Sequence, residues 1–392
     1  MKISIVSGFF LPVPALQGGA MEKIWHRFGR LFAAAGHEVT LLSRRWPGLP
    51  DDAVVDGVRF LRLPGANHTR SLPLNLLLDL RWSIRVARAL PSGDAVITNA
   101  VALPVFLRRL KPHAGHVCVS LGRMPKGQIR LYGDVSCLLA PSAAVVARVR
   151  HESPALADRV LLLPNPIDWP MHAAATEHKF AGTCPATSPL ILGYVGRIHP
   201  EKGLEQLLDA AALLAAQTDL PDWRLRLIGP VSVAQGGGGE AYRDTLLARH
   251  PTLAGKHLEI RPPVFDPAEL ARHYAAMDVF CYPSLAATGE GLSVAPLEAM
   301  AAGAVPVLSQ LDCYNDILTS GENGLSFDHT APPDRVAGEL AAHFSRLLRA
   351  GPERLRLGCA AQQTARRFDY AVQAESVLAR LAAFASGPSA RR

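Results

Sequence analysis

The sequence predicts an α/β protein of two doubly wound, Rossmann-like units, and three observations carry that expectation. Short apolar runs alternate with amphipathic stretches of helical period through both halves of the chain, the grammar of a mainly parallel sheet covered by helices. The alternation dissolves once, between Pro164 and Pro189, into Pro, Ala, Thr and His, and then restarts. The length, 392 residues, exceeds one ordinary core and suits two domains of roughly 150–200 residues each.

In the first half, Ile3–Ser7 reads as a buried strand and Met21–Ala35 as a helix, with Glu38–Ser43 returning to strand. Val58–Leu63, Ala95–Asn99, His116–Ser120, Cys137–Ala140 and Val160–Leu163 follow as short strands rich in Val, Leu and Ile. In the second half the strands are Leu190–Val195, Arg224–Ile228, Leu258–Arg261, Val279–Tyr282 and Val305–Leu308. The helices between them are Leu204–Ala216, Tyr242–His250, Ala268–Ala276 and Val294–Ala302, and Pro352–Ala385 closes the chain as helix dense in Ala, Leu and Arg. Gly236–Gly239 has no strand directly before it and reads as a mobile surface loop. The expected domains are therefore residues 1–166, a linker at 167–189, a second domain at 190–367, and a terminal helix at 368–392.

Composition narrows the function. With 49% hydrophobic and 19% charged residues the chain is globular. A formal net charge of +7 favours an anionic partner, yet there is no basic arm and only 6% aromatics, so nucleic acid is disfavoured. Phosphorylated small molecules or an anionic membrane face fit the charge better. Cys118, Cys137, Cys184, Cys281, Cys313 and Cys359 lack zinc-type spacing and read as reduced, mostly buried thiols of a cytoplasmic protein, with no metal site. The N-terminal apolar run is broken by Gly8, Pro12 and Pro14, which favours a first strand over a signal peptide. No run of 18 apolar residues would span a bilayer. In the first helix Ile24, Phe28, Leu31 and Phe32 share one side, flanked by Lys23, Arg27 and Arg30. Packing on the sheet is the ordinary role of such a face, and peripheral contact with the inner membrane face is the alternative.

Ligands of open parallel sheets bind beyond the carboxyl ends of strands, and three clusters sit at such points. Arg197 and Lys202 lie between a strand and a helix start, where two cations and outward-facing amides suit a diphosphate. Glu290, Gly291, Leu292, Ser293 and Val294 precede and open the next such helix, with Glu298 inside it. Gly291 permits close backbone approach, the amides near Leu292, Ser293 and Val294 can point at phosphate, and the two carboxylates can accept from sugar hydroxyls. Gly18 and Gly19 form a third, weaker loop before the first helix. No Gly-x-Gly-x-x-Gly follows the first strand, which disfavours a dinucleotide dehydrogenase.

On Arg197…Lys202 and Glu290-x7-Glu298 the sequence resembles the family-4 retaining glycosyltransferases of the GT-B fold, over nearly the whole chain. The resemblance implies two Rossmann-like domains facing across a cleft, with the helix from about Phe368 crossing back to the first. It implies transfer of a hexose-type sugar from a UDP- or GDP-sugar to a glycan, lipid-linked or small-molecule hydroxyl, with no resident cofactor or metal. It gives Arg197 and Lys202 the donor diphosphate, Glu290 the transferred sugar, Glu298 the ribose, and Gly18 and Gly19 the phosphate side of the first domain. Many members carry a His after the strand matching His116–Ser120; here the chain reads Leu121-Gly122-Arg123-Met124-Pro125-Lys126-Gly127-Gln128. Arg123, Lys126 and Gln128 are the candidates for that sugar or acceptor position, with a purely structural loop as the alternative. A sugar-nucleotide epimerase or hydrolase, or a non-catalytic sugar-nucleotide sensor, remains open on the same fold.

Overall fold

A computed structural model describes residues 1–69, 71–176, 189–286 and 289–386. The chain divides into two compact units, Met1–Pro166 joined by the segment from Tyr370 onward, and Ile167–Asp369.

The first unit holds an eight-stranded sheet of β1 (Lys2–Val6), β2 (Glu38–Arg44), β3 (Asp52–Val55), β4 (Val58–Leu63), β5 (Ala95–Thr98), β6 (His116–Ser120), β7 (Cys137–Ala140) and β8 (Val160–Leu162). Their order is β3-β4-β2-β1-β5-β6-β7-β8, and every pairing is parallel except β3 with β4. Strands such as β5 and β7 are buried throughout, because helices cover both faces. The covering helices include α1 (Ala20–Ala34), α2 (Leu72–Ala89), α3 (Leu103–Leu110) and α4 (Ala143–Glu152). Strand β3 was not anticipated. Its residues are largely exposed and lack an apolar alternation. The available signal was Asp56-Gly57, whose φ values of 51° and 78° make the tight hairpin turn typical of Asp-Gly.

The second unit contains β9 (Leu190–Val195), β10 (Trp223–Ile228), β11 (Leu258–Arg261), β12 (Val279–Tyr282), β13 (Val305–Ser309) and β14 (Leu325–Phe327). They form an all-parallel sheet in the order β11-β10-β9-β12-β13-β14. The chain moves from β9 to β10 and β11 on one side, then returns to β12 on the other. That reversal makes the carboxyl ends of β9 and β12 a topological switch point, where such sheets open a crevice for ligand.

Of the expected linker at 167–189, residues 177–188 lie outside the described residues, and the described part is helical where an irregular stretch was expected. Residues Trp169–Ala174 form a short helix, α5, that belongs to the second unit. Its start is fixed by Asp168, whose carboxylate accepts from the Met171 amide at 3.3 Å, with Pro170 in the first turn, a capping pattern legible in Asp-Trp-Pro. The other helices of this unit are α6 (Leu204–Ala215), α7 (Glu240–Arg249), α8 (Pro267–Ala275), α9 (Val294–Ala301), α10 (Pro333–Arg349) and α11 (Gly351–Ala365). The stretch expected as helical over 352–385 breaks close to the boundary expected at 367/368: α11 ends at Ala365, a tight turn covers Arg366–Phe368, Asp369 is extended, and α12 (Tyr370–Ser386) begins. Tyr370 packs edge-on against Phe28 of α1 with ring centroids 5.6 Å apart.

The apolar side of α1 is therefore covered: Ile24, Trp25, Phe28 and Phe32 are buried, and the Trp25 indole donates to the Ser120 hydroxyl at 3.1 Å. This face packs on the protein itself and offers nothing to a membrane. Cys118, Cys137, Cys281 and Cys313 are buried free thiols, whereas Cys359 is exposed; Cys184 lies outside the described residues. Burial pushes the Cys313 thiol up to about 12, which leaves it a poor nucleophile.

Candidate functional site at the switch point of the second sheet

The loop leaving β9 runs Gly196-Arg197-Ile198-His199 into a turn at Pro200–Lys202, and Gly203 then opens α6. Gly203 has φ of 66°, and a β-carbon there would lie 2.0 Å from the Pro283 carbonyl oxygen. Only glycine permits this backbone to approach the loop beyond β12 so closely. A hydrogen bond from the Leu285 amide to the Glu201 carbonyl, 2.9 Å, fastens the two loops. The chain thereby sets Lys202 directly against the loop that carries Glu290.

Lys202 is buried, with only 5% of its surface exposed, and its Nζ makes a hydrogen-bonded ion pair with Glu290 Oε1. It also lies 5.2 Å above the Tyr282 ring, where a cation meets the negative π face. Glu290 is held by two further donors, one of them braced by a third residue. The Ser284 hydroxyl donates to Oε1 at 2.9 Å, the Ser293 hydroxyl donates to Oε2 at 2.6 Å, and Tyr314 donates to Ser293 at 3.2 Å. Burial alone would raise the Glu290 pKa, but the Lys202 charge and these donors outweigh it and hold it below the ordinary carboxylate range. Burial likewise opposes the Lys202 charge, and contacts with Tyr282 and Glu290 reverse that opposition, so its pKa is raised.

The pair has a sign-definite signature in pH. A depressed carboxyl contributes stability above its unfolded value, near 4.3, and loses it as pH falls through the folded value. Lys202 contributes below about 10.4 and loses its share as pH rises through the raised value. Glu290→Gln should therefore melt lower than wild type at pH 7. The gap should narrow on acidification below about pH 4, as melting curves between pH 7 and 3 would record; a gap constant across that range would contradict the assignment.

Arg197 sits beside this pair on a different set of partners. Its guanidinium donates to the Gly236 carbonyl at 3.0 Å and pairs with the Glu201 carboxylate. Glu201 is also 4.0 Å from Lys202 Nζ, so one carboxylate lies between two cations. The Gly236–Gly239 run is corrected as well. The Gly238 amide donates to the Ile198 carbonyl at 2.7 Å and the Gly239 amide to the Val231 carbonyl at 2.8 Å, so the run is stitched to the β9 and β10 loops. Gly236, at φ 85°, has its missing β-carbon 3.0 Å from Arg197 Cδ. The glycine there makes room for the arginine.

Glu298 lies on α9 and faces another neighbour. Its Oε1 is 4.0 Å from His172 Nε2 of α5, and His172 packs edge-on to Tyr274 at 5.6 Å. Burial lowers the His172 pKa against the pull of Glu298 and Asp168, so the imidazole is neutral near pH 7. Gly291 and Leu292 are buried, while Ser293 and Val294 are partly exposed at the start of α9. Ser293 is the first residue ahead of that helix, yet its hydroxyl serves Glu290 and does not cap it. Beside the carboxyl ends of β10 and β11 lies a cavity of about 610 Å³, lined among others by Gly229, Val231, Ser232, Gln235, Arg261 and Pro262.

The remaining predicted residues belong to the first unit. Gly18 and Gly19 adopt φ of 83° and 100° before α1. The position a β-carbon of Gly19 would take is 2.3 Å from Glu22 Oε2, a carboxyl whose pKa burial raises. Arg123 and Lys126 are exposed on the loop after β6. Gln128 accepts from the Lys126 amide at 2.8 Å, so its carbonyl braces its own loop. His116 is structural: it hydrogen-bonds Ser136 at 3.1 Å and stacks on Phe384 at 5.3 Å, at the amino end of β6 and away from the loop that follows the strand. Sequence reasoning missed Glu201, Gly203, Tyr282, Ser284 and Tyr314. Glu201 and Gly203 lie in the same strand-to-helix stretch as Arg197 and Lys202 and had that signal, Tyr282 and Ser284 flank Pro283 at the end of a buried strand, and Tyr314 had none apart from the fold.

Residues 189–350 match the family described as glycosyl transferases group 1. Over 96% of both chains the protein is 30% identical to the phosphatidyl-myo-inositol mannosyltransferase of Mycobacterium tuberculosis (strain CDC 1551 / Oshkosh). It is 26% identical to that organism's glycogen synthase over 94% of this chain and 92% of the relative. Among solved structures it resembles sucrose-phosphate synthase from Thermosynechococcus elongatus, with a TM-score of 0.78 at 20% identity, covering 98% of this chain and 100% of that one.

Proposed function

Since the chain belongs to the GT-B glycosyltransferases, a membership with which family 4 is consistent, we propose that it transfers a hexose-type sugar, with retention and without a metal ion, from a UDP- or GDP-sugar to a glycan, lipid-linked or small-molecule hydroxyl. One observation carries this reading: Lys202, Glu290 and Arg197 converge at the switch point of the second sheet. A buried ammonium and a guanidinium form a ready receptor for a diphosphate leaving group, and charge-assisted contacts of this type contribute about 1.5–3 kcal/mol each. Glu201 occupies the space between the cations as an internal anion, and the diphosphate would displace it. Glu290, kept ionised by its donors, would accept from sugar hydroxyls, and Glu298 from the ribose. The cavity beside β10 and β11 has the volume of a small-ligand pocket and would receive the nucleoside. Gly18 and Gly19 are the phosphate-binding candidates of the first unit, and Arg123, Lys126 and Gln128 its acceptor-side candidates.

The proposed chemistry is the one that the resemblance to family-4 retaining glycosyltransferases implies, with the cations placed to serve it. The bond between the anomeric carbon and the phosphate oxygen breaks, and its electron pair goes to the diphosphate, where Arg197 and Lys202 stabilise the developing charge. The acceptor oxygen bonds to the anomeric carbon from the same face, and its proton goes to a diphosphate oxygen. The relatives carry phosphatidyl-myo-inositol, glycogen and inositol phosphate in their names, which supports a polyhydroxylated acceptor; its use in envelope or polysaccharide synthesis on the cytoplasmic side is part of the proposal. The test is to incubate the protein with nucleotide sugars and polyol, glycan and lipid acceptors in chelator, then assign the product anomer by NMR. Transfer with the donor's anomeric configuration supports the reading. An inverted product overturns retention, transfer that requires added Mg²⁺ overturns metal independence, and diphosphate release or donor isomerisation without transfer to any acceptor overturns the transferase assignment in favour of a hydrolase or epimerase.

A further inference from the structure

Helix α5 carries a side chain that the donor-site reading leaves unused. His172 is 1% exposed, its Nδ1 has no hydrogen-bond partner among the described residues, and its Nε2 lies 4.0 Å from Glu298 Oε1. An ionised carboxylate only accepts, so the ring nitrogen facing it carries the proton and the buried Nδ1 is left as a lone pair. The opposite tautomer would bury an N–H without an acceptor and turn a lone pair toward the carboxylate. Glu298 thus differs from Glu290 in its neighbours. Among the described residues no lysine or arginine pairs with it, and 21% of its side chain reaches solvent. A carboxylate backed by a buried neutral donor and still reachable from solvent is suited to accept from ligand hydroxyls.

The scaffold fixes the two residues relative to each other. Helix α5 packs on both α8 and α9. The Gln362 side-chain amide of α11 donates to the Thr176 hydroxyl just beyond α5 at 3.1 Å and to the Ala301 carbonyl at the end of α9 at 3.0 Å. The Trp169 indole of α5 donates to the Gln362 carbonyl at 3.1 Å. One residue thereby clamps the helix bearing His172 to the helix bearing Glu298. Tyr274 of α8, itself fully buried, sets the plane of the imidazole through their edge-on contact. Burial first, and then the Glu298 charge, push the Tyr274 hydroxyl up, so it stays protonated. A separation of 4.0 Å exceeds a hydrogen bond. Because the ring is held, the bond closes by rotation of the partly exposed Glu298 side chain, and contacts of this kind commonly tighten around bound ligand.

We propose that His172 is a positioning residue for Glu298: its Nε2–H holds one carboxylate oxygen, turns the other toward a vicinal diol, and so makes the site select ribonucleoside over 2′-deoxyribonucleoside diphosphates. This rests on the reading of Glu298 as the ribose acceptor and narrows the donor to ribonucleotides. The experiment is calorimetric titration of the full chain with UDP, GDP and ADP, each beside its 2′-deoxy counterpart. Wild type should favour the ribonucleotide. His172→Phe keeps an aromatic ring against Tyr274 but has no donor, and should bind the ribonucleotide roughly tenfold more weakly while its affinity for the deoxynucleotide stays near wild type. A merely structural role would weaken both alike. His172→Gln retains an N–H donor and should restore part of the preference. His172→Leu is a second replacement without a donor, and melting curves confirm that each variant is folded. If Glu298→Ala loses the preference while His172→Phe and His172→Leu keep it, the role of His172 is overturned and that of Glu298 stands. If wild type shows no preference, or Glu298→Ala retains it, the ribose reading of Glu298 fails and the proposal fails with it.

Discussion

Lys202→Met lowers kcat/KM by about 10²–10³, the usual effect of removing one preorganised charge-stabilising group, and destabilises the fold as well. The stability loss arises because Glu290 is left buried beside an uncharged side chain, and breaking a buried pair costs about 3–5 kcal/mol. At roughly 2–4 °C per kcal/mol for a domain of this size, the melting temperature falls by about 10 °C. The two losses separate in the double variant Lys202→Met/Glu290→Gln. There the orphaned charge is gone, and of the Ser284 and Ser293 hydroxyls one can donate to the amide oxygen while the other turns to accept from the amide nitrogen, so most of the melting temperature returns while turnover stays lost. If the double variant recovered activity, Lys202 would be a structural partner of Glu290 and nothing more.

Gly203→Ala is the second large effect, and it acts through backbone. The new β-carbon would occupy a point 2.0 Å from the Pro283 carbonyl oxygen at φ of 66°, so one of the two loops must move. Left-handed backbone costs a residue with a side chain about 1–2 kcal/mol, and the clash adds to it. A melting temperature lower by roughly 5–10 °C is expected, together with weaker binding of nucleoside diphosphate, because Lys202 precedes Gly203 directly and Ser284 follows Pro283. A variant that loses stability but binds the diphosphate as wild type does would show that the junction serves the fold alone.

Much of this was legible in the chain. Buried parallel strands are near-continuous apolar runs, so β9, β12 and β13 stand out as Leu190–Val195, Val279–Tyr282 and Val305–Leu308, while β10 was readable as Arg224–Ile228 by its alternation. Arg197, Lys202 and Glu290 were readable because each follows a strand by a few residues, where side chains point toward ligand rather than core. What escaped is what the topology alone brings together. Arg197 and Gly236 are separated by 39 positions and Lys202 and Glu290 by 88, and no local pattern encodes that Gly236 yields its side-chain volume to Arg197. Strand β3 escaped because an exposed edge strand has no buried face to set an alternation. Helix α5 escaped because six residues are too few to display a period. Glu298 was legible as a helix acid, but its neighbour His172 comes from that same short helix.

The most direct test of the donor site is titration calorimetry of UDP, GDP, ADP and TDP in chelator against wild type, Arg197→Ala and Lys202→Met. One nucleoside diphosphate should bind the wild type, stabilise it in proportion to its concentration over its dissociation constant, and bind each variant about tenfold or more weakly, a loss of about 1.4 kcal/mol or more. Folded wild-type protein that binds none of the four, or binding indifferent to both substitutions, would contradict a diphosphate site at Arg197 and Lys202.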